Sequence, residues 1–400
     1  MPLRPPAGFI SAFYDPLKVA DAPTIGTGTA GDAQASVTFT APSNVGGSAI
    51  TQYYAVSDPS QITGNAASSP VTVTGLTNGT AYTFRVWALN SFGPSPYSGV
   101  SGSVTPDLFQ RGIIFPGAGA VIQYISINST GNSINFGNLL SNADSGTNAA
   151  GASSTRALYT GFSASSNDIN YVTIASTGNA IYFGDMNYSN SWIYLACASN
   201  STRCVWATGY QLVPGSNVNN ISYVTIASTG NALDFGDALF AAQGLGGCAS
   251  TTRGVFTGGF DGSYLNVIQY ITIASIGNAL DFGDLTSNSG FGTACSSNTR
   301  GLHAIGFNGS STVSQINYFT IASTGNALTF GDLTVGRFRV GSCSSPTRGV
   351  FFGGLNSSFV SQNIIDYVTI ASTGNAIDFG DLLSAASYLS GTSNCHGGLS

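Results

Sequence analysis

The sequence predicts an all-β protein, because of its composition, its turn residues and its internal repetition. Only 7% of the 400 residues are charged, no glutamate occurs and Lys18 is the sole lysine, whereas 52 residues are glycine. Helix surfaces usually need Glu, Lys and Ala, so this balance favours strands and turns. The string YVTIASTGNALDFGD at 223–237 has five further copies, which indicates a stacked structural unit.

The repeated region, residues 107–400, contains six copies that start at regularly spaced tyrosines: Tyr124, Tyr171, Tyr223, Tyr270, Tyr318 and Tyr367. A second string, such as TTRGVFTGGF at 251–260, precedes each copy. Each unit therefore has four short strands, of the types GTACSS, RGVFTGG, YVTIAS and NALDFGD. A period near fifty residues with four strands predicts one blade of a β-propeller, so six blades are expected.

The ends of this region predict closure of the propeller by the C-terminal strand. The region enters at Arg111 with strands two to four of a blade and ends with SGTSNCHGGLS, a lone first strand. Pairing the two would remove exposed sheet edges. The order of features resembles kelch repeats, with Phe-Gly-Asp where kelch repeats carry Trp. The resemblance implies a six-bladed kelch-like β-propeller.

Residues 21–106 are predicted to form a β-sandwich, since β-rich runs alternate there with Gly, Asn, Ser and Pro turns. The stretch GLTNGTAYTFRVWALNSFGPSPYS at 75–98 resembles the second half of a fibronectin type III domain. The resemblance implies that Tyr82 is the corner tyrosine and that Phe39 replaces the usual core Trp. It also implies the inward-facing residues of one strand: Phe84, Val86 and Ala88. We expect this domain to be a spacer.

Residues 1–20 are rich in Pro and aromatic residues, and two interpretations stay open. The segment is either a floppy leader or an extended peptide that docks on a partner. The anchors would then be Arg4, Phe9, Phe13 and Tyr14. The start of the sequence has no unbroken apolar run, so we expect no membrane insertion. The net charge of −6 argues against nucleic-acid binding, which needs a basic face.

The predicted blades sort their loops onto two faces. The S-T-R and S-T-G-N turns repeat almost verbatim on one face, whereas the other connections diverge in length and content. Because binding residues concentrate on variable loops over a rigid frame, we expect partner binding at the variable face. The residues concerned are Trp192, Tyr194, Tyr210, Tyr264, Arg337, Phe338, Arg339, Phe359 and Tyr388. The alternative is that several of them fold back as local core.

Three further repeated features have structural interpretations. The arginine of each S-T-R turn is expected to hydrogen-bond carbonyl groups of the adjoining blade, with an anion site as the alternative. The aspartates of Phe-Gly-Asp are expected to cap turns. Of the six cysteines, five are expected to share one repeat position as buried thiols, while Cys197 and Cys204 are the one plausible disulfide pair.

The sequence gives no sign of an active site, and we expect neither enzymatic activity nor a metal or cofactor. The two histidines, His303 and His396, lie roughly two blades apart, whereas a copper or zinc site needs several convergent ligands. No aspartate stands in a unique polar cluster that could supply a carboxylate pair. No G-x-S-x-G element occurs.

The leader RPPAGFIS…YDPL, the fibronectin-like domain and the YVTIASTGNA repeats together resemble virion proteins of tailed bacteriophages, especially those of marine and cyanobacterial hosts. The resemblance implies a structural protein at the tail, a fibre or adhesin component present in multiple copies and assembled in the host cytoplasm. It implies docking on other virion proteins through residues 1–20 and contact with a host glycan or receptor. The alternatives are a capsid-surface decoration protein and, from another class, a secreted bacterial lectin or carbohydrate-active enzyme.

Overall fold

The computed structural model describes residues 17–106, 110–143, 146, 149–160, 167–188 and 192–399. All regular secondary structure among these residues is β-strand, which agrees with the predicted all-β class. No helix among them has the length and apolarity that crossing a membrane requires. The chain divides into two compact units, Met1–Phe109 and Gln110–Ser400, and each is described separately.

The first unit consists of two antiparallel sheets with the strand orders β1-β2-β5 and β4-β3-β6-β7. The strands are β1 (Thr24–Gly31), β2 (Gln34–Thr40), β3 (Gln52–Asp58), β4 (Thr63–Ala66), β5 (Val71–Thr74), β6 (Thr83–Asn90) and β7 (Gly93–Pro94). Alternate residues of β2, β3 and β6 are buried, so the two sheets enclose one apolar core.

The core of the first unit confirms the roles implied for its aromatic residues. Tyr82 is buried, and its hydroxyl group accepts a 3.1 Å hydrogen bond from the backbone N–H of Thr77, as in a tyrosine corner. Phe39 packs against Tyr53 with ring centroids 4.5 Å apart. The predicted inward-facing residues of β6 are fully buried: Phe84, Val86 and Ala88.

The second unit consists of six antiparallel sheets, and successive strands of each repeat are hydrogen-bonded neighbours. The second sheet contains β11 (Ala149–Ala152), β12 (Arg156–Thr160), β13 (Asp168–Thr173) and β14 (Ile181–Asp185). The third contains β15 (Trp192–Ile193), β16 (Ala196–Ser199), β17 (Arg203–Gln211), β18 (Ser216–Thr225) and β19 (Leu233–Asp237). The fourth contains β20 (Gly246–Ala249), β21 (Arg253–Thr257), β22 (Leu265–Thr272) and β23 (Leu280–Ser289).

The fifth sheet contains β24 (Thr293–Ser296), β25 (Arg300–Phe307), β26 (Thr312–Thr320) and β27 (Leu328–Asp332). The sixth contains β28 (Gly341–Ser344), β29 (Arg348–Phe352), β30 (Gln362–Thr369) and β31 (Ile377–Ala386). The first sheet combines both ends of the unit: β8 (Arg111–Phe115), β9 (Gly119–Ser126), β10 (Ile134–Ala143) and β32 (Ser390–Ser393). The last strand, β32, pairs with β8, as the sequence predicted.

Within each sheet, burial decreases from the first strand, which is mostly buried, to the fourth strand, which is partly exposed. In the second strand of each repeat, for example β21, four to six consecutive residues are buried, because neighbouring sheets cover both faces. Each third strand places its tyrosine edge-on against the phenylalanine of the fourth strand, as in Tyr171 and Phe183, whose centroids lie 5.9 Å apart. These aromatic pairs form part of the apolar filling of the repeats.

The S-T-G-N turn joins each sheet to the one before it. Gly230 and Ala232 donate backbone hydrogen bonds to Phe183 and Asp185 of β14, and the side-chain oxygen of Asn231 accepts the N–H of Asp185. Asp185 thus bonds the turn through its backbone N–H and carbonyl groups. The expected capping of the turn by its carboxylate is not seen here. The same contacts link all six sheets in order, and the last links β31 to the turn at Gly131 in the first sheet.

The S-T-R arginines form a second set of links between sheets, which confirms their predicted role. Arg253 lies over the ring of Tyr270 in its own sheet, 4.6 Å from the centroid. Its Nη1 donates a 2.8 Å hydrogen bond to the carbonyl oxygen of Ile321 in the next sheet. Equivalent bonds are made by Arg111, Arg156, Arg203, Arg300 and Arg348.

Candidate binding site

The first strands of the six sheets surround a narrow cavity. Strands β11, β16, β20, β24, β28 and β32 lie side by side in that order, and β32 also lies beside β11. The cavity, about 70 Å³ in volume, is lined by residues from all six sheets. Small residues, such as Ala150, Gly247 and Gly391, line its wall, so the strands approach one another closely.

At one end of this cavity lies a group of residues that we call the mouth ring: Tyr194, Gly244, Phe291, Arg339 and Tyr388. Each stands two positions before the first strand of its sheet, and each has a positive φ, between 55° and 68°. Non-glycine residues rarely adopt this conformation, and such strain concentrates at functional sites. The equivalent position of the second sheet lies outside the described residues.

A chain of backbone hydrogen bonds holds the mouth ring together. The N–H of Gly244 donates to the carbonyl of Tyr194, Phe291 to Gly244, Arg339 to Phe291, and Tyr388 to Arg339, with lengths of 2.8–3.0 Å. These four hydrogen bonds stabilise the strained backbone of the five described ring positions. Because these four N–H groups donate to carbonyl groups of neighbouring ring residues, the ring presents mainly side chains to its surroundings.

The side chains of the mouth ring contact one another. Tyr194 packs edge-on against Phe291, with centroids 5.3 Å apart, and lies 6.2 Å from Tyr388. The guanidinium of Arg339 lies over Tyr388 at 4.2 Å and over Phe291 at 5.1 Å from the centroids. Gly244 leaves a gap between Tyr194 and Phe291, which allows these two rings to meet. All four side chains are half-buried.

Arg339 has an unusual electrostatic environment. Its Nη1 donates to the hydroxyl of Tyr388, and its buried Nε has no hydrogen-bond partner. Burial lowers the pKa of Arg339, although a guanidinium stays charged at neutral pH. Among the described residues of the second unit it is the one arginine with neither a carboxylate nor a backbone carbonyl as acceptor. Within the part of the chain that the structure describes, Arg339 therefore has no carboxylate as a counter-ion.

A row of aromatic rings continues from the mouth ring along the same group of loops. Phe338, next to Arg339, packs against Phe307 and Phe359, with centroid distances of 5.9 and 5.7 Å. Tyr264 packs against Phe307 at 5.3 Å. We call Tyr264, Phe307, Phe338 and Phe359 the aromatic row. Phe359 is 70% exposed, so the row ends at the surface, whereas Phe338 is buried beneath it.

Six of the nine sequence-predicted binding residues thus belong to the mouth ring or the aromatic row: Tyr194, Tyr264, Phe338, Arg339, Phe359 and Tyr388. Tyr210 is half-buried on the hairpin of β17 and β18, apart from these clusters. The predicted anchoring residues lie outside the described residues: Arg4, Phe9, Phe13 and Tyr14.

The prediction of a surface position is wrong for Phe338, which is buried, and also for Trp192 and Arg337. Trp192 is buried and stacks on Tyr188 with centroids 3.6 Å apart. Arg337 is fully buried in an ion pair with Asp366 and donates a 2.7 Å hydrogen bond to the carbonyl of Gly353. All three residues follow the alternative interpretation, in which loop residues fold back as core.

Sequence reasoning missed Phe291 and Gly244 in the mouth ring and Phe307 in the aromatic row. Phe291 stands in GFGTAC, where its place two residues before the first strand matches that of Tyr194 and Tyr388. Aligning the residues before each first strand would have found it. Phe307 lies at the end of β25, and its string NTRGLHAIGF was interpreted as strand core alone.

The C-terminal residues contact the other ends of the first strands. Nε2 of His396 lies 2.9 Å from the carbonyl oxygen of Ala152, and its Nδ1 accepts the N–H of Gly398. Gly397 donates a hydrogen bond to the carbonyl of Ser296. Burial lowers the pKa of His396 to about 4. The imidazole of His396 is therefore neutral at pH 7 and has a structural role.

The other polar and sulfur groups of the second unit are also held in structural positions. His303 is buried between the hydroxyls of Thr257 and Ser289, at 2.8 and 2.7 Å. The six cysteines are free thiols. The prediction that five share one repeat position is wrong, because pairing register aligns only three: Cys248, Cys295 and Cys343. Within the described part of the chain, no three His, Cys, Asp or Glu residues form a metal-sized cluster.

Comparison with known protein families identifies a domain in the first unit. No curated protein matches the sequence of the chain. The fibronectin type III domain family matches residues 21–103. This span contains the two sheets β1-β2-β5 and β4-β3-β6-β7 and the Tyr82–Thr77 hydrogen bond. Residues 21–103 therefore form a fibronectin type III domain.

Proposed function

We propose that the six sheets of the second unit are the blades of a kelch-like six-bladed β-propeller. Support comes from three independent sets of contacts: the side-by-side first strands, the S-T-G-N turns and the S-T-R arginines. Each set links every sheet to the next and then the sixth sheet to the first. Pairing of β32 with β8 adds a strand from each end of the region to one blade.

The function that this architecture supports best is non-covalent binding of a partner, without catalysis. The observation that carries it is the mouth ring, where Arg339 lies among three aromatic rings at one end of the cavity and has no carboxylate partner among the described residues. Aromatic and arginine side chains dominate binding hot spots and also suit sugar contacts. Both histidines are buried as neutral groups, and the regular repeat arginines are occupied by carbonyl groups.

We place this binding function on a bacteriophage particle, as a tail-associated fibre or adhesin component. The support is the resemblance of the leader, the fibronectin-like domain and the YVTIASTGNA repeats to virion proteins of tailed phages. In this proposal residues 1–20 dock on other virion proteins, the fibronectin type III domain is a spacer, and the mouth ring and aromatic row contact a host glycan or receptor. A capsid-surface decoration protein is the second candidate.

The first experiment is immunogold electron microscopy of lysates from an infected host, with an antibody against residues 107–400. Gold at a fixed place on tails is the expected result, and gold on heads would favour the decoration protein. Gold confined to the soluble fraction would contradict the virion proposal and favour a secreted lectin. Antibody from the same preparation, pre-absorbed with the purified protein, is the control for non-specific labelling.

The binding proposal has a separate test with labelled protein on host cells. We expect the double variant Tyr194→Ala/Tyr388→Ala to lose cell binding, because both rings of the mouth are removed. The matched control is Tyr97→Ala, which changes an exposed tyrosine of the fibronectin type III domain. Equal loss in both variants, or none in either, would contradict a binding role for the mouth ring.

A further inference from the structure

Arg339 gives the mouth ring one positive charge among mainly apolar side chains. Arg339 contacts the rings of Phe291, Phe338 and Tyr388, and its buried Nε is unsatisfied. No described residue supplies an anion to this half-buried cation, so no counter-charge among the described residues compensates its desolvation. An anionic group at the mouth would complete it, since guanidinium binds carboxylates through paired N–H donors.

The size of the cavity limits what enters. Its volume of about 70 Å³ leaves room for roughly five water molecules. A carboxylate group fits such a space, whereas a sugar ring or a peptide side chain with its backbone does not. The bulk of a ligand would remain outside, against the rings of Tyr194 and Phe291 and along the aromatic row.

The chemistry of the rim favours a sugar over a peptide. A peptide strand added to a sheet needs free backbone donors and acceptors. At the mouth ring four backbone N–H groups already donate to carbonyl groups of neighbouring ring residues. What remains are aromatic faces and two tyrosine hydroxyls, which suit the C–H faces and hydroxyl groups of a pyranose. The net charge of −6 disfavours a densely charged polyanion, so one acidic sugar among neutral ones fits better.

We propose that the mouth ring recognises a carboxylate-bearing sugar, such as a uronic acid, with Arg339 as the residue that selects the acid. The carboxylate bonds the guanidinium of Arg339, and the pyranose ring lies against Tyr194 and Phe291. This inference rests on the proposed glycan-binding function and adds its ligand class and its selectivity residue.

The test compares glucuronic acid with glucose, which differ at a single carbon, by saturation-transfer NMR and calorimetric titration of the full chain. We expect the wild-type protein to bind glucuronate at least about tenfold more tightly than glucose, the size of one charge-assisted contact. Arg339→Gln should weaken glucuronate binding more than glucose binding, so that the ratio of the two dissociation constants falls to about one. Arg85→Gln, at an exposed position of β6, is the control.

The outcomes separate the two proposals. Equal binding of glucuronate and glucose, or a preference that survives in Arg339→Gln, overturns acid selection but keeps glycan binding. Binding of an acidic peptide in place of both sugars also overturns it. If the wild-type protein binds no sugar in this pair or on an array of acidic and neutral oligosaccharides, both proposals fail. Circular dichroism and melting of Arg339→Gln verify folding, and Arg339→Lys tests whether charge alone suffices.

Discussion

Arg348 and Ile127 lie 221 positions apart in the chain, yet Nη1 of Arg348 donates a 2.8 Å hydrogen bond to the carbonyl oxygen of Ile127. Arg203 makes the same bond, also 2.8 Å long, to Ile273 in the next sheet of the series. Each arginine also lies over the tyrosine of its own sheet, at 4.7 and 4.6 Å from the ring centroid. The junction between the last and first sheets therefore has the geometry of the internal junctions.

The proposed ring closure predicts equal losses at these two positions. Arg348→Met and Arg203→Met should each lower the free energy of unfolding by about 2 kcal/mol, the usual contribution of a hydrogen bond from a charged donor. Urea unfolding followed by tryptophan emission measures the loss, since Trp192 and Trp206 belong to the second unit.

Arg85→Met, at an exposed position in the fibronectin type III domain, is the control and should change stability by less than about 0.5 kcal/mol. A loss at Arg203 with none at Arg348 would contradict a closed ring. It would indicate a row of sheets whose two ends hold each other weakly.

A pair of glycines that face each other gives the second prediction. A Cβ atom at Gly331 would lie 2.2 Å from the carbonyl oxygen of Gly374, whereas a Cβ at Gly374 would meet nothing within 4 Å. Gly331→Ala should therefore force two backbones apart and lower the free energy of unfolding by about 1–3 kcal/mol. Gly374→Ala should stay within about 0.5 kcal/mol.

Thermal and urea unfolding of these two alanine variants gives a matched comparison, because the same methyl group is added on either side of one contact. Similar losses in both would show that the turn conformation, and not the close approach of the sheets, requires glycine. A harmless Gly331→Ala would contradict tight packing between the fifth and sixth sheets.

The repeated sheets could be predicted from the sequence because six copies of one unit can be aligned and compared with one another. The pairing of β32 with β8 and the arginine bonds between sheets follow from six aligned copies. The tyrosine corner at Tyr82 follows from a known local pattern. Each of these features depends on residues that recur at fixed places.

The candidate site was predicted less well because it lies where the copies differ. Arg337 and Arg339 are two residues apart in one loop, and sequence alone gives no reason to separate them. Burial of Arg337 depends on Asp366, which stands where β22 has Gln269 and β26 has Asn317. The shift of Cys197 by one position was likewise hidden, since only strand register reveals it.

Oxidation of one thiol pair is the third prediction. The sulfur atoms of Cys197 and Cys204 lie 3.3 Å apart on neighbouring strands as free thiols. Oxidised glutathione should convert them to a disulfide through a mixed disulfide at the half-buried Cys197, with two molecules of glutathione released. Closing this short loop should raise the free energy of unfolding by about 2–3 kcal/mol, less any strain.

Intact-mass measurement under denaturing conditions should find a loss of two hydrogen atoms, reversed by dithiothreitol. Cys204→Ala is the control, since Ala157 fills the equivalent position in β12. Burial raises the pKa of Cys343, so that thiol should stay reduced under the same conditions. Glutathione retained on Cys197 without bridge formation would contradict the prediction.

The last prediction concerns acid stability, which the two buried histidines should limit. Burial lowers the pKa of His303 to about 3 and that of His396 to about 4, from an ordinary value of 6.5. Below pH 6.5 the unfolded chain binds protons that the folded chain does not, so stability is full above this pH and falls towards pH 4. From pH 7.5 to pH 5 each histidine should lower the free energy of unfolding by about 2 kcal/mol.

Urea unfolding at four pH values between 7.5 and 5 measures this dependence, and His303→Asn and His396→Asn separate the two contributions. Each variant should be less stable at pH 7.5 but should lose less stability on acidification than the wild-type protein. The comparison is needed because burial raises the pKa of Asp366, whose titration acts in the opposite direction. Wild-type and variant curves that run parallel would contradict the prediction, since the lost stability would then come from other groups.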